Sequence, residues 1–229
     1  MRFLVSAGPT REHLDPVRFL SNRSTGKMGY AVARAAVEAG HAVTLVSGPV
    51  SLEPPEGLAG FVPVVSARDM LFALRRELKK GADALVMTAA VADFRPVWVS
   101  RSKIHKDMMP ASIPLVPNPD ILETLAPRKG RCMFVGFAAE TERAIAGAAK
   151  KLRAKGLDLV VANDVTRPGA GFEVDTNIVS FVTPGGPAES LPLMSKLEVA
   201  RILVARIAEE CEARKNDEAC KKEKRHVRR

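Results

Sequence analysis

The chain has 229 residues, 46% of them hydrophobic, with a mean hydropathy of -0.01: apolar material for one sizeable core, and no unbroken run near the ~18 residues of a membrane span. Its net charge of +9 gathers at the end, where 214–229 hold eight basic residues, three acids and no aromatic, the pattern of a solvated, disordered tail rather than a nucleic-acid-binding face. Cys132, Cys211 and Cys220 have neither paired nor metal-ligand spacing, so secreted, membrane-spanning and zinc-finger classes are excluded and a cytoplasmic globular domain over 1–213 remains.

Short β-rich apolar runs alternate with helical patterns. Residues 2–6 read as a strand, too short for a signal-peptide core, and 27–39 as a helix closed by Gly40. Strands follow at 43–46 and 61–65, a helix at 67–80 ending at Gly81, and a nearly all-apolar strand at 84–88 that predicts burial on both faces. A short helix is expected over 122–126, a strand at 133–137, a helix at 141–155 and a strand at 159–162. The runs 177–183 and 189–193 flank Pro184-Gly185-Gly186-Pro187 and predict a β-hairpin. Ser195 and Glu198, at capping-box spacing, then open a helix to about Arg214. The rhythm predicts an α/β, Rossmann-like parallel sheet flanked by helices, with an appended hairpin and a C-terminal helix.

Between these elements, residues 94–117 carry Pro96, Pro110 and Pro114, Met108-Met109 and several lysines without a clean period. Leaving the carboxyl end of the fourth strand, this stretch suits a flap over the ligand crevice of an open α/β sheet. Asn22-Arg23-Ser24-Thr25-Gly26-Lys27-Met28-Gly29 precedes the first long helix and matches neither a Walker A loop nor the dinucleotide fingerprint. Its glycines and free N–H groups suit a phosphate, or equally a tight turn. Asn118-Pro119-Asp120-Ile121 has helix-start chemistry, with Asn118 as N-cap and Pro119 at the first helical position. A phosphate there would be repelled by Asp120 unless a divalent cation intervened; a plain capped helix is the alternative. Lys151 and Lys155 share one helix face, and Lys103 and Lys106 lie in the flap. The four histidines show no ligand spacing and no serine sits in a hydrolase elbow. The inventory suits a nucleotide-dependent transfer with no covalent nucleophile or tightly held metal.

The ordered set of motifs resembles the phosphopantothenate–cysteine ligases (phosphopantothenoylcysteine synthetases) of coenzyme A biosynthesis. The carriers are Ser6-Ala7-Gly8-Pro9-Thr10-Arg11-Glu12, Asp15-Pro16-Val17-Arg18, the stretch 21–29 and Val46-Ser47-Gly48-Pro49-Val50. Ala89-Ala90-Val91-Ala92-Asp93-Phe94-Arg95, Lys103-Ile104-His105-Lys106 and Asn118-Pro119-Asp120-Ile121 follow. Val135-Gly136-Phe137-Ala138-Ala139-Glu140-Thr141, the Lys151/Lys155 pair and Ala162-Asn163-Asp164-Val165 complete the order over about 3–180.

The resemblance implies that the carboxylate of 4'-phosphopantothenate attacks the α-phosphate of a nucleoside triphosphate, CTP in the bacterial type, and that cysteine then displaces CMP from the acyl-nucleotide. It assigns Lys103 to the transferring phosphate and Asn22 to the phosphopantothenoyl group. Ser24, Gly26, Gly29 and Ala89 then belong to nucleotide binding, with Pro119, Asp120, Ile121, Leu122, Phe137, Lys151 and Lys155. Ala90 is expected at the substrate, and Asp93 at nucleotide or pantothenate. Magnesium accompanies the nucleotide, no flavin takes part, and a homodimer without membrane or nucleic-acid partners is expected. His13 and His105 stand where relatives usually carry proline and lysine. Relatives are often fused to an N-terminal flavin-dependent decarboxylase, and only Met1 and Arg2 precede the first strand here. An NAD(P)-dependent oxidoreductase is the competing reading; it wants a glycine fingerprint where Gly8-Pro9-Thr10 stands and an acid where Ser47-Gly48 stands.

Overall fold

A run of buried residues, Phe3 to Ala7 in β1 (Arg2–Ala7), apolar but for Ser6, forms an interior strand of the sheet, and its alternating apolar side chains feed two separate cores. The computed structural model describes all residues except 109, 141–142, 165, 167–168, 170, 172 and 227–229, and not the side chains of 140, 164 and 217–226. In chain order β1 is followed by a small antiparallel hairpin, β2 (Arg11–His13) and β3 (Phe19–Ser21), then α1 (Lys27–Glu38), β4 (Ala42–Ser47) and β5 (Gly60–Pro63). The chain continues through α2 (Ala67–Lys79), β6 (Ala84–Met87), β7 (Phe94–Pro96), β8 (Leu115–Pro117) and α3 (Ile121–Leu125). It ends with β9 (Met133–Glu140), α4 (Ala144–Ala154), β10 (Leu159–Asp164), β11 (Thr176–Asn177), β12 (Val179–Val182), β13 (Glu189–Ser190), β14 (Met194–Ser195) and α5 (Lys196–His226).

The main sheet has the order β13-β12-β10-β9-β6-β1-β4-β5, parallel from β10 to β5. From β1 the chain first fills one side, through β4 and β5, then crosses back to add β6, β9 and β10 on the other. The reversal between β1 and β6 leaves a crevice at their carboxyl ends. On one face Phe3, Val5 and Ala7 pack with Val32 and Ala36 of α1 and Leu203 and Ile207 of α5. On the other, Leu4, Leu85 and Phe134 meet Met70 and Leu74 of α2, Leu125 of α3 and Leu152 of α4. All four residues of β6 are buried, as its unbroken apolar run predicts.

Capping follows the sequence at several ends. Gly40 closes α1 at φ 78°, a left-handed conformation glycine adopts without a Cβ penalty. The Ser195–Glu198 box is formed, with the Glu198 carboxylate accepting from the Ser195 N–H at 2.8 Å and the Glu198 N–H donating to Ser195 Oγ at 3.2 Å.

The expected hairpin forms, β12 pairing antiparallel with β13 across 183–188; β12 also joins the main sheet antiparallel to β10, and β11 with β14 adds a second pairing outside it. Three expectations need correction. The segment 94–117 is not irregular throughout, since β7 and β8 pair antiparallel at its base and a short 3₁₀ turn spans Lys106–Met108. Helix α4 starts at Ala144, after Arg143 at φ 47°; the expected start at Thr141 lies outside the described residues. Helix α5 passes the end expected near Arg214 and runs through His226, into the stretch read as a tail. Arg214 and Lys215 there reach the body, at 3.1 Å from Asp158 and 3.1 Å from Asp83. Among the described residues no helix is long and apolar enough to cross a membrane.

Candidate active site

The segments leaving β1 and β6 remain paired beyond the sheet. The Thr10 N–H donates to the Ala90 carbonyl (3.3 Å), the Ala90 N–H to the Gly8 carbonyl (3.0 Å) and the Ala92 N–H to Thr10 Oγ1 (2.9 Å). The second of these segments, 87–94, forms the floor of a cavity of about 600 Å³, within the usual range for small-molecule sites.

One wall is the turn into α1. Asn22 Nδ2 donates to the Val91 carbonyl at 2.9 Å and to the Ala90 carbonyl at 3.4 Å, so the amide is oriented and Oδ1 keeps its acceptor capacity. Ser24 Oγ accepts from the Gly26 N–H at 3.3 Å. Gly26 is the N-cap of α1 at φ 78°, and a Cβ there would stand 2.8 Å from Val50. A Cβ on Gly29 would stand 2.4 Å from Thr88 Oγ1 and 2.5 Å from Ala7 Cβ, so this glycine lets α1 press onto β1 beneath the cavity.

The opposite wall corrects the helix-start reading. Asn118 is not the N-cap: its Nδ2 donates to the Ala92 carbonyl (2.9 Å) and its N–H to the Asp93 carbonyl (2.7 Å), which ties it to the floor. Asp120 caps α3 instead, accepting the Glu123 N–H at 3.0 Å. Its carboxylate also lies 2.5 Å from Lys155 Nζ. Burial works against that charge, yet the Glu123 N–H and the Lys155 ammonium outweigh it and hold the Asp120 carboxyl below the usual range. The repulsion expected between Asp120 and a phosphate is thus partly offset by Lys155. Lys151 Nζ donates to the Phe137 carbonyl at 2.5 Å, so Lys151 of α4 and Lys155 just past its end both line the cavity beside β9.

The cavity brings together Asn22, Ser24, Gly26, Gly29, Ala89, Ala90 and Asp93 with Pro119, Asp120, Ile121, Leu122, Phe137, Lys151 and Lys155. Lys103 is not among the lining residues; it is exposed on the loop 97–114. The lining adds Lys27, Asn163, Asn177 and Lys196, which were not expected as site residues. Lys27 and Asn163 stand inside motifs read above and could have been found there. Lys196 carries no local signal, because α5 reaches the cavity from the far end of the chain. The residue is 6% exposed, and its ammonium donates to the Gly171 carbonyl at 3.1 Å and to that of Val174. Burial and the nearby Lys27 ammonium lower its pKa, against the pull of Asp175.

The oxidoreductase reading meets geometric obstacles. A Cβ on Gly8 or Gly26 would stand 2.9 or 2.8 Å from Val50, so these glycines serve close packing against Val50 and stand outside a G-x-G-x-x-G fingerprint. Ser47, not an acid, ends β4, and its Oγ donates to the Gly48 carbonyl at 2.8 Å. Cys132 offers no nucleophile, since burial raises its thiol to about 12.

The family model for the DNA/pantothenate metabolism flavoprotein C-terminal domain matches residues 1–211. The chain belongs to that family. Within it, the coenzyme A biosynthesis bifunctional protein CoaBC of Bacillus subtilis (strain 168) is 50% identical over 205 residues, covering 90% of this chain and 50% of the relative. That of Escherichia coli (strain K12) is 41% identical over 216 residues, covering 90% and 51%. The chain thus spans about half the length of the curated relatives it matches. A crystal structure of the C-terminal domain of CoaBC superposes with a TM-score of 0.78 at 43% identity, covering 93% of this chain and 96% of that one. A Cab2 mutant in complex with phosphopantothenate-cysteine shares the fold, at TM-score 0.74 and 18% identity over 93% and 86% of the two chains. For this member of the flavoprotein C-terminal domain family, the cavity offers the cations Lys27, Lys151, Lys155 and Lys196, the oriented amide of Asn22, and the backbone of the turn 24–29.

Proposed function

We propose that this chain is a phosphopantothenate–cysteine ligase that uses CTP. The observation that carries the reading is the convergence in one cavity of Asn22, the turn 24–29, the segment 89–93, Asp120, Phe137, Lys151 and Lys155, in a chain whose family match runs from 1 to 211. In the first step a carboxylate oxygen of 4'-phosphopantothenate attacks the α-phosphorus of CTP, the bond to the bridging oxygen breaks, and pyrophosphate leaves. In the second, the amine of cysteine attacks the acyl carbon, loses a proton and displaces CMP. No electrons are exchanged in either step, so flavin has no part in the chemistry.

The residues supply binding, orientation and charge. Lys151 and Lys155, the latter balanced by Asp120, set a cationic end for the nucleotide, with Phe137 beside the base. The turn 24–29 presents N–H groups at the start of α1 to phosphate oxygens. Asn22, fixed by Ala90 and Val91, keeps its Oδ1 for a donor on the phosphopantothenoyl group. Lys103 neutralises charge on the transferring phosphate when its side chain, or that of the same residue in a second copy, reaches the cavity.

Magnesium fits as an ion carried by the triphosphate. Among the described residues no cluster of His, Cys, Asp or Glu could cage a metal, and of the two lining acids Asp120 is already paired. Asp93 is the carboxylate that would meet such an ion, which when bound supplies charge to the phosphate oxygens. A cytoplasmic homodimer is part of the same reading. Val17 and Phe19 on the β2–β3 hairpin and Phe94, Val97, Trp98 and Val99 on and after the neighbouring β7 are all at least 40% exposed. An apolar patch on adjacent elements suits burial against a second copy.

The test supplies phosphopantothenate, cysteine, magnesium and either CTP or ATP, and follows pyrophosphate and nucleoside monophosphate. Turnover with CTP is expected; no turnover with either nucleotide sinks the reading. Asn22→Asp is expected to release pyrophosphate and accumulate the acyl-nucleotide, and Lys103→Gln to stop its formation by about 100-fold or more. Normal turnover by Lys103→Gln would remove that lysine from the chemistry.

A further inference from the structure

Asp15 is fully buried at the tip of the β2–β3 hairpin, 3.2 Å from a backbone N–H that lies far away in sequence. Its Oδ1 accepts the N–H groups of Val17 and Arg18 at 2.8 Å each. Its Oδ2 accepts Nε and Nη2 of Arg18 at 3.0 and 2.6 Å, and the N–H of Ile104 at 3.2 Å. Arg18 Nη2 donates in turn to the Ile104 carbonyl at 2.6 Å. The Ser100 N–H donates to the Leu14 carbonyl at 2.9 Å, so the loop is fastened to the hairpin twice within five residues.

The Ile104 N–H belongs to the peptide plane that begins at Lys103, and the Ile104 carbonyl to the plane that ends at His105. With both planes held, the backbone on the carboxyl side of Lys103 is fixed and only the side chain remains to search for its target. Loop 97–114 would otherwise carry its lysine through a broad set of positions, and misplacement by an ångström can cost on the order of 100-fold in rate.

We propose that Asp15 is a positioning residue for the ligase reaction: through the buried Asp15–Arg18 pair it clasps Ile104 and thereby fixes the point from which Lys103 reaches the transferring phosphate. This rests on the reading of Lys103 given under Proposed function. Asp15 touches no substrate and lies outside the cavity lining. The clasp couples the hairpin that precedes the phosphate-binding turn to the loop that carries the mobile cation.

The experiment compares the wild-type chain with Asp15→Asn, which keeps the shape and removes the charge. A second variant, Ile104→Pro, deletes the clasped N–H and leaves Asp15 and Arg18 intact, in case Asp15→Asn fails to fold. Circular dichroism establishes folding. Limited digestion with trypsin reads the loop at Arg101 and Lys106 in every variant, the Lys103 bond being left out because a following proline blocks it in Ile104→Pro, and single-turnover pyrophosphate release reads the first step. The proposal expects loop cleavage at least tenfold faster, pyrophosphate release slower by 10- to 100-fold, and CTP affinity by calorimetry within about twofold of wild type. A core variant of equal stability loss, such as Leu74→Ala, is expected to change neither readout. Unchanged cleavage in both loop variants overturns the clasp; faster cleavage with unchanged pyrophosphate release overturns the positioning role. Absence of pyrophosphate release by the wild-type chain instead removes the ligase reading, and the positioning role with it.

Discussion

Asp120 and Lys155 each meet a need of the other, and of a third party. The carboxylate caps α3 and would repel a phosphate; the ammonium beside it, 2.5 Å away, partly offsets that repulsion and leaves the cavity end positive through Lys151. Lys155→Met is therefore expected to weaken CTP binding on the order of tenfold, because it strips one cation and leaves one anion uncompensated. Adding Asp120→Asn, which can still cap, should recover part of the loss; calorimetry of the double-mutant cycle checks the coupling. At Asp15 the Arg18 guanidinium, with three backbone N–H groups, overcomes burial and holds the carboxyl far below its ordinary value of 3.8. A depressed folded value means that the stabilisation is complete above about pH 4 and fades as acid drives the pH below it. The stability gap between wild type and Asp15→Asn should thus stay constant from pH 5 to 8 and narrow below pH 4, as urea midpoints would record. Residue types and order marked out Asn22, Asp93 and Lys151 as site residues. Neither marked the partners that fix them, since those partners come from other loops.

Helix α1 shows how an element can be legible while its job is not. Its limits follow from apolar spacing and Gly40, but the closeness of its approach to β1 depends on Gly29, whose missing Cβ is replaced by Thr88 and Ala7. Gly29→Ala should lose about 1–3 kcal/mol of stability despite the better helix propensity of alanine, read as a lowered thermal midpoint. The cavity floor and turn 24–29 would move apart, and CTP binding should weaken with it. Helix α3 went the other way: Asn118-Pro119 is good helix-start chemistry, yet the start moved to Asp120 because the Ala92 carbonyl claims the Asn118 amide. Strands β7 and β8, three residues each, are too short for a period of two to register, and only their mutual pairing makes them strands.

At the level of the whole molecule, the hairpin β2–β3 and the base of loop 97–114 form a neighbouring pair of insertions on a parallel sheet, with an exposed apolar surface that includes Phe19 and Trp98. Substituting Trp98→Glu together with Phe19→Glu is expected to convert a dimer to a monomer in light scattering, and to lower turnover if Lys103 serves the cavity of the second copy. An unchanged mass would remove the dimer interface from this surface. Strand–helix alternation by itself determined the parallel sheet and the crevice at its reversal, because burying one face of each element leaves few ways to stack them. Sequence order alone likewise placed the glycine-containing turn 24–29 at the head of α1. Only the tertiary structure decided that Lys196 borders the cavity, that the hairpin strand β12 joins the main sheet antiparallel to β10, and that Asp15 grips Ile104. Those outcomes depend on hydrogen bonds and charges meeting across long stretches of chain, and no local period encodes which distant carbonyl or carboxylate a side chain will find.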